Sequence, residues 1–305
     1  MRPTCYFVFT ALWLLLTGCP ALPGGHPAPS DIPGTTWSTF GIHALEQDSL
    51  MVEQTLAVFL PSLQQYPSVA ELIIPLGKHF LTTPYVASTL EKDGEEQLVI
   101  NLREMDCTTF VEYVLAMALT LKGEQPGFAL FARNLACIRY RDGIIRGYPS
   151  RLHYFSEWLQ NNESRGLIEI VSNQISKIEY PNQVSFMTQH THLYKQLANP
   201  ANVESMRMIE QQISAVEMHY IPKEQIEAME HLIKDGDIIA FTTNIEGLDV
   251  SHTGFAIHLR GRLHLLHASA RTHQVEITAV PLSEYLKPMR RVTGILAGRA
   301  LTPIH

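Results

Sequence analysis

The sequence predicts an α+β fold, helical through its N-terminal part and closing in a mostly antiparallel sheet. Three observations carry this expectation. An apolar segment opening at Asp106-Cys107 keeps helical spacing to Leu121, apolar runs of strand length recur from Ile238 to Arg299, and Leu259-Arg260-Gly261-Arg262 has the form of a tight two-residue hairpin. At 305 residues and 46% apolar, the chain can bury a sizeable core and is expected to form one domain with elaborations. Its formal net charge of −7 and pI near 6.0 leave no basic field, so nucleic acid is not an expected partner.

The first residues form a segment of their own. Arg2 precedes the apolar stretch Tyr6 to Leu16, which ends in Thr17-Gly18-Cys19 and is too short to span a membrane comfortably. Residues 1–18 are therefore expected to be a signal peptide. Leu16-Thr17-Gly18-Cys19 resembles a bacterial lipobox, which implies lipidation of Cys19 and a periplasmic protein held to a membrane by its lipid. An ordinary cleavage site near Ala21 is the alternative. Residues 19–36, rich in Pro, Gly and Ser, read as a flexible tether, and 37–305 as a single catalytic domain.

From Trp37 to about Phe80 the apolar spacing is helical, divided by Pro61, Pro67 and Pro75. A short strand is expected at 97–100. Asp106 suits a helix N-cap, Phe110, Val114, Met117 and Leu121 recur on one face, and Lys122-Gly123 ends the helix. The stretch from about 124 to 234 is an insertion of mixed character in which Ile168–Val171 and Ile175–Tyr180 alternate like strands. A helix at 223–233 precedes strands at 238–241, 253–259, 262–268, 275–280 and 293–299.

Of four cysteines, Cys107 and Cys137 fall in the folded domain. Export would permit a bridge between them, but Cys137 lies in an apolar helical segment and reads better as a buried thiol. Cys107 stands at the start of its helix, where unpaired N–H groups and the positive dipole end favour a thiolate. The same N–H groups, that of Thr108 among them, can hold the oxyanion formed when sulfur attacks a carbonyl. Asp106 opposes thiolate formation unless its carboxylate is spent on capping. A small buried cap residue is the plain alternative for Cys107.

The histidines favour the nucleophile, although two satisfied histidines on a half-buried sheet are the plain alternative for them. With Arg260 and Gly261 at the turn, His252 falls opposite Ser269, and alternation puts His267 on the same face as a diagonal neighbour. His252 can then serve as general base and His267 as the group that fixes its tautomer. His258 lies too far along the strand, and His264 points the other way. A zinc site is the rival chemistry for this histidine-rich stretch, but neither H-E-x-x-H nor C-x-x-C occurs, so no metal or other cofactor is expected.

Asp106-Cys107-Thr108-Thr109-Phe110, then His252-Thr253-Gly254, then His267-Ala268-Ser269, with Gly236-Asp237 opening the preceding strand, resemble the NlpC-type cell-wall cysteine peptidases, a papain-like superfamily. Thr83-Pro84-Tyr85, Thr89-Leu90-Glu91, Asn101-Leu102-Arg103 and Tyr148 to Phe155 are similar more narrowly to its N-acetylmuramoyl-L-alanine amidase-like branch. The resemblance implies a papain-like core with an N-terminal helical extension. It implies cleavage of the amide between N-acetylmuramic acid and L-alanine in peptidoglycan fragments, the muropeptides, by Cys107, His252 and His267. It makes Tyr85 an oxyanion donor and Arg151, His153 and Tyr154 substrate contacts. A D-glutamyl-diamino acid endopeptidase of the same superfamily and a non-catalytic peptidoglycan-binding lipoprotein are the alternatives.

Overall fold

The computed structural model describes residues 41–303. The expected signal peptide, the lipobox with Cys19 and the tether therefore lie outside the described residues. The described chain opens with strand β1 (Ile42–Ala44), helix α1 (Glu46–Phe59) and helix α2 (Val69–His79). Strand β2 (Leu98–Ile100) pairs with β1 in parallel, a small sheet in which only β2 was expected. Pro75 does not divide the helices but sits inside α2. A proline there removes one backbone hydrogen bond, and burial of Val69, Leu72, Ile73 and Leu76 on one face offsets the loss.

Helix α3 (Cys107–Leu121) starts and stops where the sequence places it. The Asp106 carboxylate accepts from the Thr109 N–H at 2.8 Å, and the Thr109 hydroxyl oxygen accepts from the Asp106 N–H at 2.9 Å, a reciprocal cap. From Thr109 to Leu121 every side chain is buried, so α3 is a core element on all sides. Helix α4 (Phe128–Arg139) packs along it. One charged group faces that core: Glu112 Oε2 accepts from Arg139 Nε at 2.7 Å, and Arg139 Nη1 donates to the Val99 carbonyl at 2.6 Å.

The middle of the chain departs from expectation. Helix α5 (Phe155–Ser164) was not foreseen, and of the expected strands only β3 (Ile168–Glu169) forms. Helix α6 (Ser172–Ile175) follows, and the alternation of 175–180 yields one isolated bridge, Glu179 to His219, with Lys177, Ile178 and Glu179 exposed. Helices α7 (Phe186–Gln189) and α8 (Pro200–Ser214) close over Tyr148 and Tyr154 in a small apolar cluster of their own. Strand β4 (Ile221–Pro222) and helix α9 (Ile226–Met229), the latter flanked by 3₁₀ turns, replace the one helix expected there.

The closing strands are β5 (Ile238–Thr243), β6 (Val250–Leu259), β7 (Arg262–Ser269) and β8 (Gln274–Ile277), then, after helix α10 (Leu282–Leu286), β9 (Val292–Ala300). They form an antiparallel sheet in the order β3-β9-β5-β6-β7-β8, with β4 also on β9. Period-two alternation sends Ala240, Phe255, Ile257 and Leu266 into the core with α3, and Phe241, Ala256, Leu265 and Ile295 toward α10. Both faces of the central strands are thus covered, and each fully buried aliphatic or aromatic side chain contributes about 1.5–3 kcal/mol.

The Glu112–Arg139 pair gives a test of how the α3–α4 core is held. Arg139→Met should cost about 3–5 kcal/mol in urea unfolding by stranding a buried carboxylate, whereas Glu112→Leu combined with Arg139→Met should recover most of that loss. Equal loss in the single and double variants would contradict this account.

Candidate active site

Cys107 and His252 line one cavity of about 160 Å³, together with Thr108, His153, Tyr154 and Asp249. Two elements deliver them. Helix α3 presents Cys107 at its first position, and β6 carries His252 next to Thr253, whose backbone N–H donates to the sulfur. The Thr108 hydroxyl and N–H reach the sulfur as well. These donors favour the thiolate, but burial and then the Asp106 carboxylate outweigh them and push the thiol up to about 12. The free site therefore rests as a neutral thiol.

The hairpin register is the one read from sequence. Leu259 pairs with Arg262, and Arg260 and Gly261 take positive φ of 52° and 78°, as a two-residue turn of this hand requires. The β6–β7 ladder stops at Phe255 and Leu266, so the inferred pairing of His252 with Ser269 is not a ladder rung. The two imidazoles nevertheless meet: His252 Nε2 and His267 Nδ1 are 2.7 Å apart, with ring planes at 88°. That bond occupies Nε2 of His252 and leaves Nδ1 as its other ring nitrogen.

Gly254 makes this contact possible. A Cβ there would stand 2.8 Å from the His267 Cβ and 2.8 Å from the Leu266 carbonyl oxygen, closer than such atoms pack. The glycine two residues after His252 is therefore a spacing device for the second histidine. Beyond His267, Glu276 of β8 is its direct cross-strand partner, with Oε1 3.8 Å from His267 Nε2.

Sequence reasoning also passed over Asp249. Its buried carboxylate accepts from the Ser156 N–H at 2.7 Å in the first turn of α5, tying the inserted wall to the start of β6. An acidic residue three positions before the histidine was the available signal. Tyr154 lies in that wall, its hydroxyl donating to Glu210 and accepting from the Met187 N–H. His153 stacks on Tyr148 and shares a hydrogen bond with its carbonyl, and burial followed by the Arg151 charge drives its pKa well down.

Arg151 does not line the cavity. It is 5% exposed, and its guanidinium binds Glu91 at 2.5 Å, lies 3.5 Å from Glu96 and covers the Tyr148 ring. Tyr85 stands outside the cavity lining but close enough to Cys107 and Asp106 to feel both. Burial first, then those two groups, raise its hydroxyl to about 12, so it remains a donor. His258 is bound to Asp235 at 2.7 Å and His264 to the Thr278 carbonyl at 2.8 Å, both as structural groups. Cys137 is buried, as expected, and Cys107 is free, so the two are not bridged to each other. Among the described residues no three His, Cys, Asp or Glu side chains are grouped to hold a metal ion.

Fold and site together define a mixed α+β protein whose pocket holds a thiol and an imidazole, the latter hydrogen-bonded to a second imidazole buried behind it. The chain belongs to the AmiA-like family, described as N-acetylmuramoyl-L-alanine amidase-like, whose pattern matches residues 75–295. A crystal structure of an N-acetylmuramoyl-L-alanine amidase from Bacteroides uniformis is 47% identical over 76% of this chain and 98% of its own, with a TM-score of 0.73. A protein from Bacteroides fragilis described as a putative xylanase is 49% identical over 74% of this chain and 99% of its own, at 0.70. A Legionella pneumophila protein, 22% identical over 83% and 97% of the two chains at a TM-score of 0.60, shares the fold. No curated protein matches.

Two outcomes follow from the histidine pair. Burial lowers His252 to about 3, assisted by His267, and lowers His267 to about 4 against the pull of Glu276. Unfolded histidines titrate near 6.5, so below that the unfolded chain binds more protons and stability falls as pH drops from 6.5 toward 3. The Tm should decline across this window, and less steeply in His267→Gln; equal slopes would contradict the assignment. Gly254→Ala should separate the rings and cost about 1–3 kcal/mol, read by the loss of coupled ring-nitrogen signals in NMR and by a lower Tm.

Proposed function

We propose that the protein is a cysteine-type amidase that cleaves the bond between N-acetylmuramic acid and L-alanine in peptidoglycan fragments. The observation that carries this is the shared cavity of Cys107 and His252, with the second nitrogen of His252 taken up by His267. Family membership and the Bacteroides uniformis relative supply the substrate bond, and both support a peptidoglycan hydrolase. A thiol-bearing helix set against an antiparallel sheet that carries the histidine supports the papain-like, NlpC-type reading of the core.

Because thiol and imidazole both rest neutral, the proton moves as the bond forms. Cys107 Sγ attacks the lactyl carbonyl carbon while Nδ1 of His252 takes the thiol proton. The oxyanion is held by N–H groups of the first turn of α3, with Thr108 in reach, and by the Tyr85 hydroxyl. On collapse, the C–N bond breaks and His252 returns its proton to the L-alanine nitrogen. Water then hydrolyses the thioester by the same base and regenerates the thiol. His153 and Tyr154 form the wall that meets the substrate, and Arg151 acts on that wall through Glu91 and Tyr148.

The N-terminal sequence supports export and a lipid anchor at Cys19, which would place the enzyme in the periplasm against a bacterial membrane. Product analysis by mass after incubation with defined muropeptides tests the activity. Wild type should release free N-acetylmuramic acid and an L-alanyl peptide. Cys107→Ala should release none at an unchanged Tm, and His252→Ala should lose about 10²–10⁴ in rate. Cleavage within the stem peptide, or turnover retained by Cys107→Ala, would overturn the proposal.

A further inference from the structure

His267 poses a problem that the Cys107–His252 pair alone does not answer. Its ring is 1% exposed and Nδ1 is engaged by His252, yet Nε2 is buried with no hydrogen-bond partner. The group directly opposite on β8 is Glu276, whose Oε1 lies 3.8 Å from that nitrogen. This distance is too long for a direct hydrogen bond but close enough for strong electrostatic coupling in a buried setting. The Glu276 side chain is 26% exposed and can shorten the gap by a small rotation.

We infer that Glu276 is a positioning residue that sets the tautomer of His252 through His267. An ionised carboxylate only accepts, so it selects the form of His267 with its proton on Nε2. Nδ1 of His267 is then a lone pair, which obliges His252 to donate from Nε2. That in turn leaves Nδ1 of His252 unprotonated, the state a base facing the thiol needs. The opposite polarity, with His267 donating from Nδ1, would leave the proton of His252 on Nδ1 and block it as a base. When His252 takes the thiol proton, the positive charge is shared toward His267 and lies one residue from the carboxylate.

The other groups around His267 do not compete for this role. His252 on β6 holds Nδ1, Tyr285 of α10 lies edge-on with ring centroids 5.8 Å apart, and Arg271 in the β7–β8 turn acts on Tyr285. Cys107 reaches His267 only through His252.

The inference rests on Cys107 and His252 as nucleophile and base, so the test has one arm that needs no turnover. Glu276→Gln keeps the shape but removes the charge and adds a donor. With muropeptide substrate, kcat should fall about tenfold at constant KM, the loss of one close carboxylate–imidazole interaction. The acid limb of the pH profile should move to lower pH, because the imidazole pair loses the anion that favours its protonation. In the Cys107→Ala background, ring-nitrogen NMR should find His252 and His267 both protonated on Nε2, and Glu276→Gln should shift both toward Nδ1. An unchanged acid limb or unchanged tautomers in Glu276→Gln would overturn the role of Glu276. If wild type releases no sugar acid from any muropeptide, the amidase reading fails and the NMR arm alone decides this one.

Discussion

Helix α3 is buried from Thr109 onward, so the polar start of that helix is where the core opens to the substrate. The reciprocal cap between Asp106 and Thr109 fixes the first turn, while the capping carboxylate still opposes a thiolate at Cys107. Packing of the rest of α3 on β6 and β7 then determines where Cys107 arrives, beside the Thr253 N–H and in the cavity of His252. A reactive side chain here depends on a large apolar contact elsewhere, and the chemistry inherits its precision from the core.

The electrostatics follow from the same burial. A thiol near 12 and an imidazole near 3 in one cavity make a poor ion pair at rest, and the low polarity that makes it so also strengthens each donor that lines the cavity. In the proposed mechanism such a site separates charge only as the new bond forms. The thiol, kept neutral, is less exposed to stray oxidation or alkylation than a free-standing thiolate would be.

Much of this was legible in the chain because it depends on local rules. The α3 cap needs only Asp106 and Thr109, and the histidine register needs only a two-residue turn and alternation. The misread parts depend on distant partners. Arg151 looked available for a substrate carboxylate, but Glu91 and Glu96, some sixty residues earlier, hold it, and no periodicity announces that pairing. The alternation of 175–180 does not mark a buried face: Ser176 and Tyr180 are buried, but Ile178 between them is exposed, so the apolar spacing overstates a strand. Glu276 and Asp249 were passed over because their meaning needs tertiary neighbours: the β7–β8 register for one, and the start of α5 for the other.

The early end of the β6–β7 ladder divides the sheet in two at the site. Beyond Phe255 and Leu266, β6 is held by β5 and β7 by β8, so each stays paired on its outer side while the ladder between them ends. His252 belongs to one half and His267 to the other, joined by the five rungs that run to the Arg260–Gly261 turn, by their own ring-to-ring hydrogen bond and by the close approach at Gly254. The histidine pair thus straddles a seam, and its alignment is a reading of hairpin twist. Sequence drift at that distant turn is therefore felt between the two imidazoles before it is felt anywhere in the core.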